Sequence, residues 1–363
     1  MKHQVLFVAQ NLEVGGIQTS LLNLLSKISK ESEYDVDLFV FGRGAFLSQI
    51  PKNISVIYGD KLLSLAATPF GEVKKSKKFF DILTRLFLTA YVRLTGSEKF
   101  YGKRFEKHNF EKEYDVAVSF FNDVPGNYFN QGTNLFVSDY VTARKKVAWI
   151  HTDPIQSGFQ KEYCEKIYKS FDYIMCVSNA VKEKFDTLVP MYSDKTKVFY
   201  NVFDEERICR LGEECVPFEN NGVFNIVTVC RVDNASKRID KVAELCKRLK
   251  DEGVTKFKWR IVGDGPHLEE NIKLVKFLDV CDVLEFCGEQ ANPYPYIKHS
   301  DLFALYSAYE GYPMVIGEAK VLKTRILTVP YAAAYEQVGE EDGIIAWDDE
   351  DFYIKLKRLI CDE

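Results

Sequence analysis

No run of about 18 apolar residues, the length a bilayer-spanning helix needs, occurs anywhere in the 363 residues. The opening MKHQVLFVAQ is too short an apolar run for a secretory leader and turns polar at once, which sets the expectation of a cytoplasmic protein. No CxxC pair is present. The nine cysteines are odd in number and scattered through expected strands and helices, Cys176, Cys230, Cys246 and Cys287 among them, which fits reduced buried thiols better than disulfides or a zinc site. Charge of one sign is also lacking. A net charge of -5 disfavours recognition of nucleic acid through the overall field.

What is present is material for packed cores. Hydrophobic residues make up 46% and charged residues 28%, and the length exceeds the usual size of a single core, so two domains are expected. Apolar runs at 4–9, 36–41, 54–58, 116–120, 147–150, 173–177 and 198–200 read as strands, with helical stretches such as 161–170 and 179–188 between them. That alternation predicts an α/β, doubly wound parallel sheet whose ligands bind at the carboxyl ends of its strands. Gly15, Gly16 and His151 each follow a strand directly. The glycine pair is either a phosphate-approaching turn or only a tight turn, and His151 is either a sugar or proton-transfer partner or a structural imidazole, with Asp153 capping the segment after it. Asp35-x-Asp37 opens a strand, so it is rejected as a metal–diphosphate motif, and Asp37→Ala is expected to leave metal dependence unchanged.

Residues 72–108 stand apart, with ten Lys or Arg against four Asp or Glu, interleaved with Phe79, Phe80, Leu83, Leu86, Phe87 and Leu94. Such a basic amphipathic helix can lie on an anionic membrane surface, or pack its apolar face on its own sheet and leave a basic rim.

A charge-rich segment over 206–221, ending in Asn220-Asn221-Gly222, reads as a linker between a first domain over 1–205 and a second over 222–347. The run 223–230 opens a second βα series. It continues with strands at 256–262, 283–287, 302–306, 325–329 and 344–346, and ends in a helix over 352–360. Within it, Arg231 and Lys237 flank the loop leaving the first strand. They are suited to a diphosphate, or are plain surface charges. Gly263-Asp264-Gly265-Pro266 is a strand-to-helix turn whose glycines let backbone approach a ligand, with Asp264 stabilising the turn. Glu310-Gly-Tyr-Pro-Met-Val-Ile-Gly-Glu318 sets a carboxylate in a loop, Pro313 at a helix start, free N–H groups at Met314, Val315 and Ile316, and a second carboxylate on a largely apolar helix face. Burial of Glu318 there requires a hydrogen-bond partner, which a ribose diol could supply.

Taken in order, Gly15-Gly16, His151, Val177-Ser178, Asn201-Val-Phe-Asp204, Arg231 with Lys237, Gly263 to Pro266, Glu310 to Glu318, and Glu336 resemble the retaining glycosyltransferases of family 4, which have the GT-B fold. The resemblance implies two Rossmann-like domains facing a central cleft, with a nucleotide-sugar donor, UDP-linked for preference, on the second and an acceptor on the first. It implies that Arg231 and Lys237 hold the diphosphate and Glu318 the ribose, with the N–H groups of Met314 and Val315 near the phosphates. It further implies that Gly16 and the Gly263 turn approach the donor, that Glu310 contacts the donor sugar, and that His151 borders the reacting centre. No metal or other cofactor is implied. The acceptor would be a glycan or lipid-linked glycan of cell-surface polysaccharide synthesis, made peripherally at the inner face of the cell membrane. The terminal helix, 348–363, often crosses back to the first domain in such folds. A non-catalytic scaffold for a partner transferase and a sugar-nucleotide epimerase are the alternatives. Three positions depart from the family pattern: Lys237-Arg238 stands for Lys-Gly, Lys323-Thr324 replaces a glycine helix end, and Gly317 sits inside a helix. Arg238 could share the diphosphate or crowd its loop.

Overall fold

A computed structural model describes residues 2–108, 112–124, 129, 132–219 and 222–361; Asn220 and Asn221, at the end of the expected linker, lie outside them. The chain divides into two compact units, Met1–Val202 and Phe203–Glu363. Each is built on one Rossmann-like sheet with every strand parallel.

In the first unit the strands are β1 (His3–Ala9), β2 (Tyr34–Val40), β3 (Ser55–Tyr58), β4 (Tyr114–Ser119), β5 (Ala143–Ile150), β6 (Tyr173–Cys176) and β7 (Thr196–Val198), in the order β3-β2-β1-β4-β5-β6-β7. Strands buried on both faces must be apolar throughout, and Val5 to Ala9 and Val36 to Val40 are all buried. Asp37 is the polar exception among the buried residues of β2. Its Oδ2 accepts hydrogen bonds from Lys112 Nζ and Tyr114 Oη, both at 2.8 Å, so this carboxylate serves the strand interior.

The expected basic helix over 72–108 is three helices, Phe70–Lys75, Phe79–Thr95 and Ser97–Phe105. The breaks fall at Lys77 and Gly96, whose φ values of 54° and 82° no right-handed helix accepts. Leu88, Val92, Phe100, Tyr101 and Phe105 point inward and are buried. Phe105 packs edge-on against Phe136 at 4.8 Å between ring centroids.

The second unit holds β8 (Phe224–Val229), β9 (Phe257–Val262), β10 (Leu284–Gly288), β11 (Leu302–Leu305), β12 (Ile326–Thr328) and β13 (Gly343–Ile345), ordered β10-β9-β8-β11-β12-β13. Two separate cores cover its two faces. One expectation is corrected here. The first part of the charge-rich stretch read as a linker, 206–212, is no loose connector: Glu205–Gly212 is a helix capped by Asp204, whose Oδ1 accepts from Arg207 N at 3.1 Å, and Ile208 is wholly buried in one of these cores. The terminal helix Asp349–Cys361 packs within the second unit, where it lies against β12 and sinks Phe352, Leu356 and Ile360 into the other core.

The helix Met314–Val321 ends without glycine. Thr324 N donates to Ala319 O and Lys323 N to Lys320 O, both at 3.0 Å, the Schellman pattern, with Lys323 in the left-handed position at φ 59°. A lysine there is disfavoured by its Cβ. Lys323→Gly is therefore expected to raise stability by about 1 kcal/mol, seen as a higher urea midpoint at unchanged slope.

Candidate functional site

Both sheets reverse direction of winding once, and at such a switch point two loops leave neighbouring strand ends side by side. In the second unit the switch lies between β8 and β11. The loop over 230–238 and the loop over 306–313 meet there, pinned by Ala308 N donating to Ser236 O at 2.8 Å. Lys237 and Glu310, 73 residues apart, form an ion pair between Nζ and Oε1, each at most one-fifth exposed. Burial acts to lower the Lys237 pKa, but the charge of Glu310 and its hydrogen bond outweigh it, so the ammonium is held above the ordinary lysine value. Arg231, on the same loop, is exposed, and among the described residues it holds no ion pair.

Arg238 turns away. It occupies the left-handed region at φ 54°, where the family pattern has glycine, and its guanidinium grips Asp349 with both nitrogens, one at 2.9 Å, while lying 4.3 Å over the Tyr306 ring. It is thus a brace to the terminal helix and takes no share of the loop's free charge.

Gly263 and Gly265 owe their identity to packing. A Cβ on Gly263, at φ 145°, would fall on the Cys230 carbonyl oxygen, and one on Gly265 would fall on the Val232 backbone. The turn after β9 is thereby pressed against the 230–238 loop, with Val232 N donating to Asp264 O at 3.0 Å. Asp264 Oδ1 also accepts from Gly265 N at 2.7 Å, the turn-stabilising role.

Pro313 is the N-cap of the helix Met314–Val321, and no side chain caps its first turn. The Met314 and Val315 N–H groups thus stand at a positive helix end beside Glu310. Gln337 fixes this start by donating from Nε2 to Pro313 O at 2.8 Å, and Tyr331 Oη in turn donates to Gln337 Oε1 at 2.8 Å. Sequence reasoning chose its exposed neighbour Glu336 and missed Gln337, which the structure buries between Ala334 and Val338 and which no local pattern singles out.

Glu318 is 5% exposed. Its partner in the structure is a side chain that sequence reasoning missed: Tyr294 Oη donates to Oε1 at 3.2 Å. Burial raises the Glu318 carboxyl to about 7, against the hydrogen bond from Tyr294 and the charge of Arg207, which lower it. A carboxyl that holds its proton more tightly when folded makes the folded state lose stability as pH rises from its unfolded pKa toward about 7. Glu318→Gln, which keeps the acceptor for Tyr294, is expected to flatten that loss, gaining on the wild type by roughly 1 kcal/mol per pH unit in the window. Urea titrations of both proteins at several pH values check this.

In the first unit the switch lies between β1 and β4. Gly15 precedes the helix Gly16–Ile28 with no side chain capping it, and Gly16 is exposed. His151 follows β5, its backbone N donating to Asn122 Oδ1 at 2.9 Å and its ring 4.7 Å from that of Phe120. Burial lowers the imidazole to about 3, against a hydrogen bond with the Phe120 backbone, so the ring is neutral at physiological pH. Its Nε2 is buried and has no partner among the described residues. Asp153 caps the turn after it, accepting from Ile155 N and Gln156 N at 3.0 and 3.1 Å. Asp123, unnoticed in the sequence, caps the helix Thr133–Tyr140 through Gly132 N, Thr133 N and Asn134 N.

Residues 223–362, which lie in the second unit, match the family described as Glycosyl transferases group 1. The fold is GT-B. Two curated relatives are each 24% identical: an uncharacterised glycosyltransferase of Methanocaldococcus jannaschii over 195 residues, 51% of this chain and 48% of that protein; and the N-acetylgalactosamine-N,N'-diacetylbacillosaminyl-diphospho-undecaprenol 4-alpha-N-acetylgalactosaminyltransferase of Campylobacter jejuni over 204 residues, 54% of this chain and 53% of that protein. The chain thus spans about half the length of the curated relatives it matches. Among solved structures, Anabaena HepE in complex with UDP-glucose superimposes with a TM-score of 0.65 at 18% identity, covering 98% of this chain and 88% of that one. S. aureus TarM in complex with UDP superimposes at 0.68 and 12% identity, covering 99% and 93%.

Proposed function

We propose that this chain is a retaining hexosyltransferase that moves a sugar from a nucleotide diphosphate sugar, UDP-linked, to a glycan or lipid-linked glycan acceptor in cell-surface polysaccharide synthesis, working peripherally at the cytoplasmic membrane face when that acceptor is lipid-borne. The observation that carries it is the Lys237–Glu310 pair at a topological switch point, with the exposed Arg231, which holds no ion pair among the described residues, on the same loop and the helix start at Met314 free of a side-chain cap. A diphosphate is the ligand these groups suit together: two cations and two helix-end N–H groups gather on one edge. UDP complexes of proteins with this fold, HepE and TarM among them, support the donor class.

In this reading Arg231, Lys237 and the N–H groups of Met314 and Val315 take up the charge that grows on the leaving diphosphate as the glycosidic bond breaks. Glu310 orients Lys237 and contacts the donor sugar. Glu318 meets the ribose, with Tyr294 holding its carboxyl in place. His151, neutral, offers Nε2 as an acceptor for a sugar hydroxyl, and Gly16 lets backbone approach the phosphate. The Gly263 turn contributes by bracing the 230–238 loop. No metal takes part.

The test is a donor-hydrolysis and calorimetry screen over UDP, GDP and ADP sugars, repeated with Glu310→Ala. UDP-sugar turnover that falls at least tenfold in the variant supports the reading. Absence of binding to every nucleotide would favour a scaffold, equal turnover by the variant would remove the role of Glu310, free sugar products formed without acceptor would favour an epimerase, and a β-linked product from an α-linked donor would refute retention.

A further inference from the structure

The helix Phe79–Thr95 carries two apolar faces, and only one of them is used. Leu88 and Val92 are buried in the first unit, and Arg85 is drawn to that side as well, its guanidinium 4.2 Å over the Phe129 ring. Phe79, Phe80, Leu83, Leu86, Phe87 and Leu94, spaced at three, four and seven residues, line the opposite face and are between 49% and 87% exposed. Single exposed apolar residues are ordinary; three phenylalanines and three leucines on one stripe are not.

We propose that this stripe docks on an anionic lipid surface, lying in the interface plane with its rings among the acyl chains. Charge supports this occupant. Lys74, Lys75, Lys77 and Lys78 are all exposed within two turns of the helix start, and Arg93 is exposed near its end, in a chain whose net charge is -5. The acids nearby are matched, Glu72 with Lys75 and Asp81 with Lys61. A second copy of the chain is disfavoured, because pairing stripe to stripe in either direction sets cations against cations. The stripe is also small. Seventeen residues make a face about 25 Å long and 10 Å wide, well under the roughly 800 Å² per partner of a stable protein interface, yet that is the shape of an interfacial helix. The proposal stands apart from the donor chemistry, which uses no residue of this helix.

Flotation with vesicles of equal parts phosphatidylglycerol and phosphatidylcholine tests it. The whole chain is expected to float with them and to stay behind with phosphatidylcholine alone. Phe80→Ser with Phe87→Ser, and separately Lys74, Lys75, Lys77 and Lys78 changed to Gln, should each lower the bound fraction about tenfold or more, with unchanged thermal melting because all these side chains face solvent. Hydrolysis of soluble donor should be unaffected by either set, so a failure of docking is distinguishable from a failure of the donor site. A wild-type protein that stays unbound to the anionic vesicles overturns the proposal. So does one that elutes as a dimer and becomes a monomer on Phe80→Ser with Phe87→Ser, which would assign the stripe to a second copy.

Discussion

Lys237→Met is expected to reduce donor turnover by about 100-fold or more, the effect of removing one preorganised cation or donor from a leaving-group site, and to lower stability by about 2–3 kcal/mol. The second effect arises because Glu310, 13% exposed, would be left as an uncompensated carboxylate. The two effects separate in the double variant. Adding Glu310→Gln removes the orphaned charge, so stability should return most of the way while turnover stays low. Arg231→Ala provides the contrast: exposed and without an ion pair among the described residues, it should weaken donor binding and leave the urea midpoint unmoved. If the double variant is no more stable than Lys237→Met alone, the pair is not the unit that the geometry makes it.

Gly317→Ala is expected to cost about 3 kcal/mol, although alanine is the better helix former by about 1 kcal/mol. The added Cβ would fall 2.1 Å from Cζ of Phe203, whose ring packs against the core that this helix enters. The helix cannot move aside freely, because Gln337 holds its N-cap residue Pro313 and the Schellman turn closes its other end. Donor affinity should therefore fall together with stability, as the Met314 and Val315 N–H groups shift. Phe203→Ala in the same background should recover part of the loss, and a coupling energy near zero in the four-protein cycle would refute the account.

The strands of both sheets were legible because a parallel strand covered on both faces has to be a continuous apolar run, and the ends fell within a residue or two apart from the longer lead-in of β5. The helix Asn179–Leu188 was legible to its bounds, since Ser178 caps it in the expected way. What escaped depends on strand order. Lys237 and Glu310 become partners only because β8 and β11 are neighbours, a fact no local period contains. Tyr294 reached Glu318 from a separate helix for the same reason. The terminal helix showed its apolar face plainly, but a face does not say which core receives it. Residues 72–108 read as one helix because amphipathic period survives across a break, and Gly96 was the signal that should have ended it. The two non-glycine departures were visible as letters; that Arg238 and Lys323 both sit in the left-handed region, one braced and one not, was not.

The brace from Arg238 to Asp349 joins the loop at the β8–β11 switch to the first turn of the last helix. Opening of either end of that brace strips the other of its counter-charge, so the two segments should breathe as one kinetic unit. In native-state hydrogen exchange, the amides of Lys237 and Phe352 would then report a common opening rate, and a bound diphosphate that quiets the loop would quiet the far helix with it.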